Sequence, residues 1–207
     1  MDPQFFDILK SVIGPITAVG LAWLVGNRIS AEWVLRQKRR EQSLATASEF
    51  YRLYGEFFAL WKMCNYAFRD SKGDVDTATL WDLMRRATAL EASGEAILLR
   101  IASEVPLEAR DVRSLGLFRQ GLQQLRQSIL KRKILGWSSS QHHEYLAFKR
   151  VSADVGKLAL AVGSKAAPTA EVARAQLERV THNYWSKAWP NGTGEDFDLN
   201  AAQKDED

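Results

Sequence analysis

From Ser11 to Asn27 the chain runs for 17 residues without a charged side chain, and small residues recur at every fourth position: Gly14, Ala18, Ala22 and Gly26. At about 1.5 Å per residue such a segment reaches roughly 26 Å as a helix, and Phe5, Phe6, Ile8 and Leu9 extend it towards the ~30 Å of a hydrocarbon core. Lys10, inside that extension, is long enough to carry its ammonium back to the headgroups. The pattern predicts a membrane-spanning helix within residues 1–30. A cleaved secretory leader is not expected, because Met1 to Asp7 contains Asp2 and Asp7 but neither Lys nor Arg.

Downstream, apolar residues recur at three- and four-residue intervals, the period of helices with one buried face. The first such seam is Phe50, Tyr54, Phe57, Trp61, Cys64 and Phe68. After the turn signal Asp70 to Asp74, a second stripe collects Leu80, Leu83, Ala87, Leu90, Gly94, Ile97 and Ile101, with a cap expected near Asp76 or Thr77. Gly94 lies on that stripe. A mid-helix glycine costs about 1 kcal/mol relative to alanine, so a close helix crossing is expected there.

Pro106 opens a third helix whose stripe is Val112, Leu115, Phe118, Leu122, Leu125 and Ile129, expected to end at Gly136. Its other face is basic. A fourth helix is expected from Ser138 to Gly163, with Tyr145, Phe148, Val151, Val155, Leu158 and Val162 inward; a fifth, from Thr169, places Val172, Gln176, Val180 and Tyr184 inward. Strict alternation never persists long enough for a sheet. The expected fold class is therefore all-α: a single N-terminal transmembrane helix followed by a cytosolic up-and-down bundle of about five helices. The expected domains are an anchor at 1–30, a basic juxtamembrane linker at 31–43, the bundle at 44–189 and a flexible acidic tail at 190–207.

Charge distribution sets orientation. Arg28, Arg36, Lys38, Arg39 and Arg40 follow the uncharged segment against a single Glu32 before residue 41. Positive-inside asymmetry then sends the amino terminus out of the cell and leaves the bundle in the cytosol, at the inner membrane. Arg36, Lys38, Arg39 and Arg40 become candidate contacts for anionic lipid headgroups, each worth about 1 kcal/mol near a charged surface. The net charge of +3 is small for 207 residues, and the basic face of the third helix lacks interleaved aromatics for stacking bases, so nucleic acid is not an expected partner.

Chemistry is sparse. Cys64 is the sole cysteine, which excludes an intramolecular disulfide framework. Neither a phosphate-cradling Gly-x-x-x-x-Gly-Lys-Ser/Thr loop nor a dinucleotide-binding Gly-x-Gly-x-x-Gly occurs. His142 and His143 are adjacent and point about 100° apart on a helix, so they cannot easily share a metal. Helical ribonucleases of the HEPN superfamily place a His about four to six residues after an Arg; here two residues separate Arg179 from His182 and seven separate Arg174 from it, and neither spacing fits. No catalytic residue, metal or cofactor is expected. Trp137, Trp185 and Trp189, at helix ends, form a candidate surface for a cytosolic protein partner.

The reading that follows is a non-enzymatic membrane effector or scaffold. It oligomerises through Gly14, Ala18, Ala22 and Gly26, since close backbone approach drives helix association in lipid, and through the aromatic seam. In outline it resembles small single-span accessory proteins of bacterial antiviral systems, such as the membrane protein paired with type VI-B CRISPR nucleases. That resemblance implies assembly of several spans and permeabilisation of the inner membrane. Two alternatives stay beside it: a peripheral helical RNA-processing enzyme built on Arg179, His182 and the basic face, and a tether recruiting a partner through Trp185, Trp189 and the tail. A reporter fused to the carboxyl terminus is expected to be active only in the cytosolic form; activity restricted to an exported reporter would reject the orientation.

Overall fold

The computed structural model describes residues 3–70, 75–133, 135, 137, 142–164, 166–182 and 185; the side chains at 3–22, 24, 25, 27, 70 and 143 are outside that description. Among the described residues there are five helices and no strand. They are α1 (Pro3–Asp70), α2 (Thr77–Glu104), α3 (Ala109–Leu130), α4 (His143–Ala161) and α5 (Ala170–Thr181). The chain divides into two compact units, Met1–Glu41 and Gln42–Asp207.

The first unit is helical from Pro3 onward. The polar run expected to separate two helices is itself helix, because Arg, Gln, Lys and Glu are all strong helix formers. Ladders of i,i+4 pairs reinforce it, with Arg36 against Glu32 at 3.5 Å and Gln37 donating to Glu41 at 3.1 Å. Among the described residues no helix is long and apolar enough to cross a membrane, so the spanning segment expected within 1–30 gains no support from the fold.

The second unit is a four-helix bundle with a fifth helix added. The directions follow from the contacts. Across α1 and α2, Met63 meets Arg86 while Leu53 lies near Gly94. Across α2 and α3, Arg119 pairs with Glu95 and Arg126 with Glu91. Across α3 and α4, Arg110 pairs with Asp154 while Phe118 stacks on Phe148. Across α4 and α1, Ser43 donates to the Leu160 carbonyl while Phe148 stacks on Phe57. In each pair one residue number rises as the other falls. Successive helices are therefore antiparallel, and α4 closes the ring back onto α1. α5 packs outside this ring on α2 and α3.

Capping follows the sequence signals. The Asp76 carboxylate accepts the Thr79 amide at 2.9 Å and starts α2; Thr169 does the same for Val172 at 3.4 Å and starts α5. The α3 start lies three residues after Pro106, where Asp111 accepts the Glu108 amide at 3.1 Å. Its end comes at Leu130, not Gly136. Arg132 adopts φ 52° there, and the amides of Arg132 and Lys133 turn back to Ile129 and Ser128. This is a Schellman-type stop with arginine where glycine is the usual choice. The turn expected at 71–74, the helix start expected at Ser138 and the acidic tail lie outside the described residues.

The inward stripes form one continuous core. Phe50, Phe57, Phe118 and Phe148 are at most 1% exposed, as are Leu53, Ile97, Ile101 and Leu115. Val172, expected inward, is 47% exposed, since α5 touches the bundle along a narrower face carried by Gln176 and Val180. Gly94 sits where a helix crossing was expected: a Cβ there would lie 2.2 Å from Leu122 Cδ1. Gly55, in contrast, has nothing within 4 Å of such a Cβ. The two alanine substitutions are thus expected to move stability in opposite directions. Gly94→Ala should lower the denaturant midpoint, by overpacking worth about 1–3 kcal/mol, and Gly55→Ala should raise it by up to about 1 kcal/mol. Equal shifts of one sign would show that the crossing is not tight.

Candidate functional site

The structure moves the candidate surface away from the helix-end tryptophans. Trp137 is 1% exposed: it packs against Phe57, Trp61 and Phe148, and its Nε1 donates to Glu144 Oε2 at 2.7 Å. Trp185 is 3% exposed. Its ring lies over Gly116 so closely that a Cβ there would be 2.3 Å away, and its Nε1 donates to the Arg179 carbonyl at 2.9 Å. Both indoles are core wedges with their single donors satisfied, which corrects the expectation of an exposed partner surface. Trp189 lies outside the described residues.

Part of the basic face of α3 is likewise committed within the bundle. Arg119 and Arg126 bond the carboxylates of Glu95 and Glu91 on α2, and Arg119 also reaches the Thr181 carbonyl at 3.4 Å. Arg110 stands 3.7 Å from Asp154 on α4. Arg119 and Arg126 thus tie α3 to α2, while Arg110 stays largely exposed. Lys131, Arg132 and Lys133 are exposed at the end of α3, where cations complement the helix dipole.

Among the described residues no three His, Cys, Asp or Glu side chains are arranged to hold a metal ion. The two residues of the RNA-processing alternative lie at the end of α5, where the Arg179 carbonyl accepts both the His182 amide and the Trp185 indole. Cys64 is buried in the α1 seam, and burial pushes its thiol up to about 12. At neutral pH it holds no appreciable thiolate, the form a nucleophile requires.

One polar residue on the α5 period does work that periodicity does not reveal. Gln176, 6% exposed, accepts the Leu107 amide at 2.8 Å and donates to the carbonyls of Ala102 at 2.7 Å and Val105 at 3.2 Å. Its amide thereby satisfies the backbone where α2 ends and Pro106 has no N–H to give. The only sequence cue is a glutamine among inward valines.

The remaining distinctive surface is the described part of the first unit. Every described side chain from Trp23 to Gln42 is exposed, including Trp23 at 66%, Ile29 at 63%, Trp33 at 65%, Val34 at 48% and Leu35 at 55%. At about 100° per residue, Arg36, Arg39 and Arg40 lie within about 100° of one another on α1 and Lys38 projects from the other side, while the exposed apolar residues Trp23, Ile29, Trp33, Val34 and Leu35 are spread around the helix. Arg36 has Glu32 opposite it, while Lys38, Arg39 and Arg40 have no acidic partner among the described residues. Gly26, the one member of the expected packing face whose side-chain position is described, is exposed with open space around its Cα; those of Gly14, Ala18 and Ala22 are outside the description.

No family model matches the chain, and no curated protein or solved structure shows significant similarity to it.

Burial makes Cys64 a probe of the closed bundle. Alkylation at pH 8 is expected to be negligible in the native protein and rapid in denaturant. The sign of the linked stability is fixed too. A thiol raised from 9.0 to about 12 favours the folded state below pH 9 and gives up that advantage as pH climbs towards 12. Unfolding free energy should therefore fall above pH 9 in the wild type and fall less in Cys64→Ala; identical profiles, or fast native alkylation, would contradict the burial.

Proposed function

We propose that the chain is a non-enzymatic single-pass membrane protein. Its first helix begins in lipid with the amino terminus outside, and its bundle is held in the cytosol at an anionic inner leaflet. The observation that carries this reading is the exposed apolar surface just ahead of a basic cluster. A helix lying flat in the interface needs its apolar groups on one side. Trp23, Ile29, Trp33, Val34 and Leu35 instead project all around α1, and Arg36, Lys38, Arg39 and Arg40 follow within about 6 Å of axial rise. That arrangement suits a helix leaving a bilayer through the headgroup layer, with indoles and cations at the interface. Exposed apolar residues between 23 and 35, with none buried among those described, fit a segment whose solvent is not water.

Copies then associate through Gly14, Ala18, Ala22 and Gly26, where small residues let backbones approach. The bundle acts as a membrane effector or scaffold, with several spans brought together to perturb the bilayer. Antiviral defence is the setting that the outline resemblance suggests. Extraction of expressed protein tests the location: release only by detergent is expected, and release by carbonate or high salt would overturn it. Changing Arg36, Lys38, Arg39 and Arg40 to Gln should weaken the orientation bias, so that a carboxyl-terminal reporter of exported proteins gains activity; an unchanged topology would show that these cations do not set it.

A further inference from the structure

At the end of α3 three consecutive cations, Lys131, Arg132 and Lys133, are exposed directly after Leu130, whose side chain is 60% exposed. We propose that this end of the bundle is the docking site of the chain's own acidic tail, held through Glu195, Asp196 and Asp198, with Phe197 and Leu199 against the apolar surface beside the cations. The contact lies wholly within the second unit and does not depend on the membrane reading.

Arg132 sets this cluster apart from an ordinary basic helix end. Its φ of 52° is a conformation that glycine takes without steric cost and arginine does not. A glycine there would stop α3 equally well and would leave Lys131 and Lys133 to complement the helix dipole. What glycine would lose is the middle charge, so the position supplies a side chain and not a backbone turn. Acids within the bundle do not answer that charge. Among the described residues none of the three cations forms an ion pair, and the carboxylates in the facing half of α2 are committed elsewhere. Asp82 holds Arg85 and Arg86 at 2.7 Å each, and Glu91 holds Arg126. Because α2 and α3 are antiparallel, the start of α2 lies at this same end, and its Trp81 is 70% exposed.

The tail has the charge, the apolar groups and the length to fit. Residues 195–199 read Glu-Asp-Phe-Asp-Leu, three anions to meet three cations. Trp185, the last described residue, is fixed over Gly116 of α3. From Gly116 to Lys131 the helix rises about 22 Å, whereas the chain from Trp185 to Glu195 can extend to about 33 Å. A segment tethered this closely faces its site at an effective concentration on the order of mM. A contact too weak to retain a separate peptide is therefore occupied in cis, and any other polyanion has to displace it.

The test treats the full chain in detergent with a water-soluble carbodiimide, which joins carboxylates to lysines in contact, and maps the products by mass spectrometry. Peptides linking Lys131 or Lys133 to residues 195–198 are expected, within single molecules when light and heavy isotope-labelled copies are mixed, and several-fold fewer in about 0.5 M salt. Arg132→Gly keeps both lysines. It should cut these links at least twofold while leaving the thermal midpoint unchanged or raised. Equal linking in Arg132→Gly, equal linking of the tail to the exposed Lys62, Lys149 and Lys157, or links between light and heavy copies would overturn docking in cis. Absence of the links would overturn it as well, and protection of Lys131 and Lys133 from acetylation by added RNA or by anionic vesicles would then assign the site to that polyanion.

Discussion

Phe148 on α4 is the point through which the bundle is held together. Its ring stacks on Phe57 of α1 at 4.4 Å and on Phe118 of α3 at 5.6 Å, and Phe50 meets Phe118 at 5.4 Å from the other side. Aromatic pairs of this kind add about 0.5–1.5 kcal/mol each beyond their buried area. Their larger effect is geometric, because flat rings packed at such distances leave each helix little freedom to slide. Once α1, α3 and α4 are in register, Trp137 closes the cluster from the connection ahead of α4, and the Glu144 carboxylate takes its indole proton.

The polar interactions follow from that register. Arg119 and Arg126 reach Glu95 and Glu91 because α2 and α3 run antiparallel at the distance set by Gly94 and Leu122. Such partly buried pairs contribute more to the choice of neighbour than to net stability, since desolvation offsets much of their attraction. They also draw two of the guanidiniums of the basic face of α3 into contacts between helices. Gln176 has a similar role at the far end, fastening α5 to the chain turn at Pro106 through three backbone bonds.

α1 serves two environments. From Phe50 to Phe68 it buries an aromatic seam in the bundle, whereas between Trp23 and Gln42 no described side chain is buried. In the reading proposed here, the exposed stretch is the part of α1 that meets lipid.

The all-α class, the inward stripes of the bundle helices, the caps at Asp76 and Thr169 and the tight crossing at Gly94 were legible along the chain, because periodicity and capping are local properties of sequence; the continuity of α1 through residues 31–43 was not. The stop of α3 was not. An arginine can take the left-handed conformation at Arg132 only when surrounding packing outweighs its intrinsic cost. Nor could sequence separate a helix-end tryptophan that contacts a partner from one that fills the core: Trp137 and Trp185 are placed by Phe57, Phe148 and Gly116, residues 11 to 80 positions away. The same distance in sequence hid the partners of Arg119 and Arg126. What the sequence determined by itself was therefore which segments are helical and which of their faces repel water. Tertiary structure alone decided which charges neutralise one another and which apolar faces stay uncovered, because burial and pairing depend on neighbours that only folding brings within contact.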